Sequence, residues 1–416
     1  MIIFFSRKTL AGEKYHDLLK LFTHFRTCYL RGNAGYLEKP SQACFLLVCL
    51  HAGPHTEQKT ITELSRWSPA RITEWRLRRL LYATYLNIDL LISWFAEEAI
   101  KCLPPPDDKV VYAVGDGSHK DKRGKKNPVA QKGTKRKGKP FFWGIRFVLV
   151  ALCWDVFRIP VAFRIIPPKN HPEYKNENSL FREMLMDLTL PEWAETVIVL
   201  GDCGYGSKDN MKLIQKMGKE RHKNRRWFFV FSIARTWKRE SGKSIKDFVK
   251  HLPRCLYKRT WLPQLTQNRR RKIFWVYGKV MNLNHIGEVT VVLSKKWRNA
   301  GPKNTKIIVT NIPNVSARQV ISIYQRRWPI EIIFKELKSA LGLGEHQVSK
   351  EENRIRNSIG IAIISYLFLL IACKEHINRG QSWGIFNLQE KFRIKVMTNQ
   401  IRHSMNLKIE KLQRAA

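Results

Sequence analysis

Acidic residues are scarce in this chain of 416 residues: 34 Asp and Glu stand against 75 Lys and Arg, a formal net charge of +41. So much charge of one sign repels itself unless a polyanion compensates it. Lys and Arg that neutralise phosphates also release condensed counterions, which favours nucleic acid as the partner. The composition therefore predicts a nucleic-acid-binding protein, with a ribosome-associated protein or a membrane-surface binder as alternatives.

Cysteine pairs and long apolar runs are also missing. None of the eight cysteines forms a CxxC pair, and none clusters with histidine as zinc ligands do. We expect buried, reduced thiols and, since no secretory signal is evident, a cytoplasmic protein. The longest apolar run, Ile359 to Cys373, has 15 residues. That is short for a membrane span, so we expect a buried helix and no membrane partner.

Residue patterns divide the chain into five segments, which predict an α/β fold. Residues 1–105 are predicted to be a helical DNA-binding region, residues 106–218 the first part of an α/β core, and residues 219–312 a basic, mostly β insertion. Residues 313–375 form the second part of the core, and 376–416 are a C-terminal helical region. In the first segment, TITELSRWSPARITEWRLRRLL breaks at Ser68-Pro69 and has a basic second half. It fits either a helix-turn-helix or an ordinary helical hairpin.

A Lys-rich segment follows the first core strand. Residues 119–140 contain ten Lys or Arg and one Asp, too polar to bury a core. We predict a loop that either lies against DNA phosphates, with Lys135, Arg136 and Lys137 as contacts, or is mobile.

Two aspartates close apolar runs, Asp116 after VVYAVG and Asp202 after VIVLG. An aspartate after a strand is more often a turn or cap residue. A third carboxylate, Glu331, shares a predicted helix face with Tyr324, Arg327 and Lys338 at helical spacing, although Pro329 interrupts that helix. The alternative is a solvated helix face. Two strand-end aspartates and a helical glutamate suit a two-metal site for phosphoryl transfer.

The segment YQRRWPIEIIFKELK (324–338) matches the Y-x2-R-x3-E-x6-K signature of bacterial insertion-sequence DDE transposases. GDGS and VLGDCGYGS resemble the segments that carry that family's two aspartates, and GLGEHQV is similar to its stretch after the glutamate. The resemblance covers about residues 105–375. It implies a ribonuclease H-like core, a mixed sheet flanked by helices and interrupted by a β-strand insertion.

The resemblance also implies an activity, metal-dependent cleavage of transposon ends and strand transfer into target DNA. The partner is then double-stranded DNA, bound by a homodimer, and the cofactor is Mg²⁺ or Mn²⁺ in a two-metal site. A non-catalytic transposase-derived DNA-binding protein and a ribonuclease H-like nuclease without strand transfer are the competing functions. The implied catalytic and metal-binding residues are Asp116, Asp202 and Glu331, and the implied phosphate contacts are Tyr324, Arg327 and Lys338.

Trp297 is a candidate DNA contact in the insertion. It ends the run VVLSKKW and is flanked by Lys295, Lys296 and Arg298. A base pulled from the stack needs an aromatic face to rest on, which Trp297, or else Trp261 or Trp275, could supply. The alternative is a strand-end tryptophan packed on the core of the insertion.

Overall fold

A computed structural model of the chain describes residues 60–66, 73–82, 87–121, 127–133, 141–262, 272–343, 345, 351–379, 383–394 and 398. The chain divides into two compact units. The sheet unit comprises Pro105–His119 and Arg146–Ile333, and the helix-rich unit comprises Met1–Pro104, Lys120–Ile145 and Phe334–Ala416.

Ten strands are formed by the described residues. They are β1 (Val110–Asp121), β2 (Ala130–Gly133), β3 (Phe142–Trp154), β4 (Phe157–Ile166), β5 (Thr196–Gly201), β6 (Arg226–Ser232), β7 (Lys258–Leu262), β8 (Lys272–Leu283), β9 (Gly287–Lys295) and β10 (Lys306–Thr310). The helices of the same residues are α1 (Ile61–Arg66), α2 (Glu74–Tyr82), α3 (Ile88–Lys101), α4 (Glu177–Met186), α5 (Lys208–Lys219), α6 (Ile245–His251), α7 (Ala317–Gln325), α8 (Pro329–Ser339), α9 (Glu352–Ala372), α10 (Lys374–Asn378) and α11 (385–394).

One mixed sheet forms the sheet unit, with its strands in the order β4-β3-β1-β5-β6-β10-β9-β8-β7. Strands β1, β5 and β6 are parallel, whereas β10, β9, β8 and β7 continue the sheet from β6 as antiparallel neighbours. β5 is buried along its whole length, as expected for a central strand of an apolar run. The predicted α/β class is therefore confirmed, and the basic insertion extends the same sheet.

The helix-rich unit has α9 at its centre. Helices α3 and α9 approach so closely that a Cβ added to Gly360 would lie 2.0 Å from Ile88 Cγ1. Asn357 Nδ2 donates to the Leu81 carbonyl at 3.0 Å, which ties α9 to α2. Helix α9 is long and apolar enough to cross a membrane, but 89% of its most apolar window is buried inside the protein. The prediction of a buried helix is confirmed.

Two local predictions are wrong. Strand β1 does not stop at Gly115 but runs to Asp121, and β2 pairs with the start of β3 inside the segment expected to be a loop. Tyr324 and Glu331 do not share one helix, because α7 ends at Gln325 and α8 begins at Pro329. Proline fits the first helical turn, where its missing N–H is not needed.

Helices α1 and α2 lie where the helix-turn-helix was expected. The turn between them, residues 67–72, lies outside the described residues, so the motif stays a prediction. The thiols are only partly as expected: Cys153 and Cys373 are buried, whereas Cys203 and Cys255 are exposed.

Candidate functional site

The register of the parallel strands brings the two aspartates together. Val114 of β1 pairs with Leu200 of β5, so the same register two residues further places Asp116 beside Asp202. Each carboxylate is fixed by a backbone N–H that follows it: Gly117 N donates to Asp116 Oδ1 at 2.8 Å, and Gly204 N donates to Asp202 Oδ1 at 2.7 Å. The two side chains therefore present their remaining oxygens next to each other, with Asp116 inside β1 and Asp202 directly after β5.

Arg327 joins the first aspartate to the glutamate. Its Nη1 donates to Asp116 Oδ2 at 3.2 Å and its Nη2 donates to Glu331 Oε1. The guanidinium is largely buried, with 12% of the side chain exposed. Because Arg327 lies in the turn between α7 and α8 and Glu331 in the first turn of α8, the break at Pro329 still leaves the two groups in contact.

Burial and the repulsion between neighbouring carboxylates change the pKa of Asp116 in this cluster. Burial, and after it the nearby charge of Asp202, together raise the pKa of Asp116 to about 6 from its ordinary value of 3.8. Arg327 acts in the opposite direction, but its attraction does not cancel those two effects. A carboxyl group with a pKa this high marks a place where negative charge is crowded and a further cation would be stabilised.

Lys306, at the start of β10, is a second cation of the site. Its Nζ lies 4.5 Å from the centre of the Tyr324 ring, and its charge acts on Asp202 and Glu331. Although the residue as a whole is exposed, partial burial of the ammonium group lowers its pKa. Among the described residues, Lys306 makes no ion pair with a carboxylate within 4.0 Å, so it is available to a negatively charged ligand.

Tyr324 is buried beneath Lys306. Burial raises the pKa of the Tyr324 hydroxyl to about 12, although the charge of Arg327 acts to lower it. Tyr324 and Arg327 thus belong to the carboxylate cluster of the sheet unit, whereas Lys338 is exposed in the last turn of α8 and belongs to the helix-rich unit.

The insertion carries cations stacked on aromatic rings at its outer strands. Trp297 is 64% exposed, so the alternative in which it packs on the core of the insertion is wrong. The segments 254–262, 272–279 and 293–306 contain no acidic residue. The pairs are Arg259 on Trp261, Lys295 on Tyr257, Lys296 on Trp297 and Arg298 on Trp275, with distances to the ring centre of 4.6, 3.9, 4.8 and 5.3 Å.

Some predicted contacts cannot be placed. Lys135, Arg136 and Lys137 lie outside the described residues. In the same segment, Lys132 of β2 is described, and its Nζ lies 3.6 Å from the centre of the Phe141 ring.

Sequence reasoning missed three residues of the site, Lys306, Glu177 and Tyr205. Tyr205 donates a hydrogen bond to Glu177 Oε1 at 2.6 Å. Burial raises the pKa of its hydroxyl, and the nearby charges of Asp116 and Asp202 act in the same direction. None of the three has a local pattern that sets it apart, although Tyr205 lies in the GDCGYGS segment already singled out. Their roles depend on contacts between distant parts of the chain.

The donor set fits a hard divalent cation. Among the described residues, no three acidic, histidine or cysteine side chains stand close enough together to hold a metal as they are, because Arg327 occupies the space between Asp116 and Glu331. The oxygens of Asp116, Asp202 and Glu331 are nevertheless the ligand type that Mg²⁺ and Mn²⁺ prefer. A cation there would also offset the burial and the charge of Asp202 that together raise the pKa of Asp116.

Fold and site together define an α/β protein with an acidic cluster at the centre of a large mixed sheet. The family model described as the transposase DDE domain matches residues 107–368. The chain therefore belongs to the DDE transposase family.

A solved transposase structure is similar to this chain at low sequence identity. No curated protein matches the sequence. The chain is similar to a piggyBac transposase solved by cryo-electron microscopy in a synaptic complex with hairpin DNA, with a TM-score of 0.49 and 12% identity. The match covers 96% of this chain and 83% of that one, and a similarity this low carries no functional conclusion.

Proposed function

We propose that this transposase binds the ends of its own insertion element and carries out metal-dependent DNA cleavage and strand transfer by a cut-and-paste route. One observation carries the proposal: Asp116, Asp202 and Glu331 are far apart in sequence, yet Asp116 and Glu331 share the guanidinium of Arg327, and Asp202 lies close enough to raise the pKa of Asp116. Three acidic groups so gathered in a transposase suit phosphoryl transfer.

The core is proposed to be ribonuclease H-like. Support comes from the strand order β4-β3-β1-β5-β6, in which β3 and β4 are antiparallel and β1, β5 and β6 are parallel. The division into segments 1–105, 106–218, 219–312, 313–375 and 376–416 remains a proposal as well, with β6 counted as part of the core because it pairs with β5.

Asp116, Asp202 and Glu331 are proposed to hold two Mg²⁺ or Mn²⁺ ions. Such ions, when bound, activate the attacking oxygen and stabilise the leaving oxygen of a phosphoryl transfer. The chain's own groups orient the substrate: Arg327 and Lys306 supply positive charge at the cluster, and Tyr324 supports Lys306 from below. Contacts of Tyr324, Arg327 and Lys338 with DNA phosphates remain predictions.

The biological setting follows from the same proposal. An insertion-sequence transposase of bacterial origin acts in the cytoplasm, on the nucleoid, and holds two element ends as a homodimer. Its partners are the double-stranded DNA of the ends and of the target. The net charge of +41 supports a DNA partner.

Incubating the protein with the terminal sequences of its element, Mg²⁺ and a target plasmid tests the function. Strand transfer into the plasmid supports it. Cleavage without joining would indicate a nuclease, and end binding without cleavage would indicate a non-catalytic DNA-binding protein.

The choice of divalent metal should decide whether the protein cuts DNA. Mg²⁺ and Mn²⁺ should support cutting, whereas Ca²⁺ should permit binding without productive cutting. Full activity in chelator would contradict the metal mechanism.

Neutralising the Lys-rich segment should weaken DNA binding at all sequences. Changing Lys135, Arg136 and Lys137 to glutamine is expected to flatten the salt dependence by about 0.9 in log–log slope for each DNA phosphate that the protein no longer neutralises. Affinity titrations at several salt concentrations measure this slope. The matched control changes three exposed lysines elsewhere, Lys212, Lys219 and Lys246, to glutamine. An equal change in the control would assign the effect to net charge, and an unchanged slope would mean that the segment is only solvated.

Removing the Trp297 ring should slow a step that needs an unstacked base. Because base stacking contributes about 1–3 kcal/mol, Trp297→Ala is expected to slow opening of the second strand roughly 5- to 150-fold while sparing the first nick. A missing base at the extruded position should partly restore the rate. Single-turnover assays that follow both strands measure the two steps.

Trp261→Ala is the matched control, since this tryptophan is also exposed and also stacked under an arginine, Arg259. A defect in that variant alone would move the stacking role to Trp261. Unchanged rates of both steps in Trp297→Ala would leave Trp297 with no part in the reaction.

A further inference from the structure

A fourth carboxylate lies beside the two aspartates. Glu177 is the first residue of α4, which begins where the Asn176 side chain caps the helix. A Cβ added to Gly117 would lie 2.2 Å from Glu177 Oε1. The carboxylate of Glu177 therefore rests against the backbone of the residue that follows Asp116, in space that only glycine leaves open.

Both oxygens of Glu177 are already engaged. Oε1 accepts a hydrogen bond from the Tyr205 hydroxyl at 2.6 Å, and Oε2 accepts one from Arg146 Nη2 of β3 at 2.7 Å. The charge of Glu177 is thus balanced by Arg146. A carboxylate held in this way acts as an anchor for its partners and is poorly placed to serve as a metal ligand.

Tyr205 belongs to the turn that carries Asp202. The backbone N–H groups of Tyr205 and Gly206 both donate to the Asp202 carbonyl, at 3.2 and 3.1 Å. The Tyr205 ring is buried and packs edge-on against Phe181 of α4 at 4.8 Å. Fixing the Tyr205 hydroxyl therefore fixes the whole turn, and with it the Asp202 side chain.

Helix α4 holds the same turn at a second point. Asn178 Nδ2 donates to the Gly204 carbonyl at 3.1 Å, and the fully buried Asn210 donates to Asn178 Oδ1 at 2.7 Å and to the Tyr205 carbonyl at 2.9 Å. The start of α4 is thus a rigid support for the turn, and Glu177 is the part of it that reaches across to β1 and β3.

We propose that Glu177 is a positioning residue that sets Asp202 relative to Asp116. It joins the Tyr205 turn to β3 through its two hydrogen bonds, and it packs against β1 at Gly117. It acts through Tyr205 and contacts neither metal nor DNA. The inference rests on the proposed function, since it takes both aspartates as metal ligands. Groups that orient metal ligands typically contribute about 10- to 100-fold to metal affinity or activity.

Direct binding of Mn²⁺ to the full chain, without DNA, tests the inference. Glu177→Gln, Tyr205→Phe and the double variant are expected to weaken Mn²⁺ binding by about 10-fold or more, to a similar extent in all three, because each breaks the same link. Thermal unfolding midpoints should stay close to that of the wild type. Glu183→Gln is the matched control on the same helix, since Glu183 is exposed and pairs only with Lys175 among the described residues; it should bind Mn²⁺ like the wild type.

The possible outcomes separate the explanations. Wild-type Mn²⁺ affinity in Glu177→Gln overturns the inference. Loss of binding in Glu177→Gln with wild-type affinity in Tyr205→Phe overturns it too, and makes Glu177 a ligand. If Glu177→Gln does not fold, Tyr205→Phe, which removes one oxygen atom, decides alone: wild-type affinity there overturns the link. A wild-type protein that binds Mn²⁺ but never cleaves its element's ends would remove the proposed function and leave this inference standing.

Discussion

Amide substitutions in the acidic cluster are expected to abolish DNA cleavage while leaving end binding largely intact. Asp116→Asn, Asp202→Asn and Glu331→Gln each keep the size of the side chain but remove a negative charge that a divalent cation needs. Metal ions contribute several kcal/mol of charge stabilisation to the transition state, and about 4 kcal/mol corresponds to a thousandfold in rate. We therefore expect cleavage to fall by about a thousandfold or more in each variant.

Cleavage of labelled element ends in Mg²⁺ measures this loss, and gel-shift titration in Ca²⁺ measures binding separately. The matched control is Asp209→Asn. Asp209 lies on α5, and its side chain is 71% exposed and close to Arg182 of α4. It should cut at the wild-type rate. A variant of Asp116, Asp202 or Glu331 that still cuts at near the wild-type rate would remove that residue from the active site.

The same substitution at Asp116 should stabilise the metal-free protein. Because the folded-state pKa of Asp116 is raised to about 6 from 3.8, its contribution to stability is fully present below pH 3.8. That contribution is lost as the pH rises through 6. A shift of about 2 pH units corresponds to roughly 3 kcal/mol at neutral pH. Asp116→Asn removes this penalty, so the variant should unfold at a higher temperature than the wild type above pH 7.

Thermal unfolding in chelator between pH 4 and pH 8 measures the sign of the stability change in Asp116→Asn and the pH range over which it appears. The gain of Asp116→Asn over the wild type should be near zero at pH 4 and largest above pH 7, and divalent metal should reduce it by stabilising the wild type. Asp107→Asn, at an exposed carboxylate of the same unit, should show no such trend. A gain that is constant with pH would mean that ionisation of the partly buried Asp116 carboxyl is not its source.

Much of the site could be predicted because its main signals are local. Asp116 and Asp202 follow apolar runs, and the register of β1 and β5 then brings them together. Arg327 and Glu331 are four residues apart, close enough to stay in contact even though α7 and α8 are separate helices. The DDE transposase family of the chain was also correctly predicted from these residues, whereas the bacterial insertion-sequence subgroup stays a prediction.

The parts that could not be predicted depend on long-range contacts. Glu177 and Lys306 reach the site only because α4 and β10 are brought to it by the fold. The extension of β1 was missed because its polar residues have little strand preference, and pairing overrides that preference. At its far end a Cβ added to Gly144 would lie 2.4 Å from the Lys120 carbonyl, so the two strands pack without a side chain between them.

The sheet continues without a break from β6 through β10 to β7, so the insertion cannot readily be replaced as a unit by the insertion of a related protein. β10 is hydrogen-bonded to β6 on one side and to β9 on the other. Excising β7, β8 and β9 would leave β10 with an open row of N–H and C=O groups at a new sheet edge, which invites aggregation. An insertion grafted from a related protein must therefore restore the strand register with β10, in addition to joining the chain at both ends of the graft. Lineages that alter this region should do so by changing strand length and surface residues at the β7 edge, with β9 and β10 kept in place.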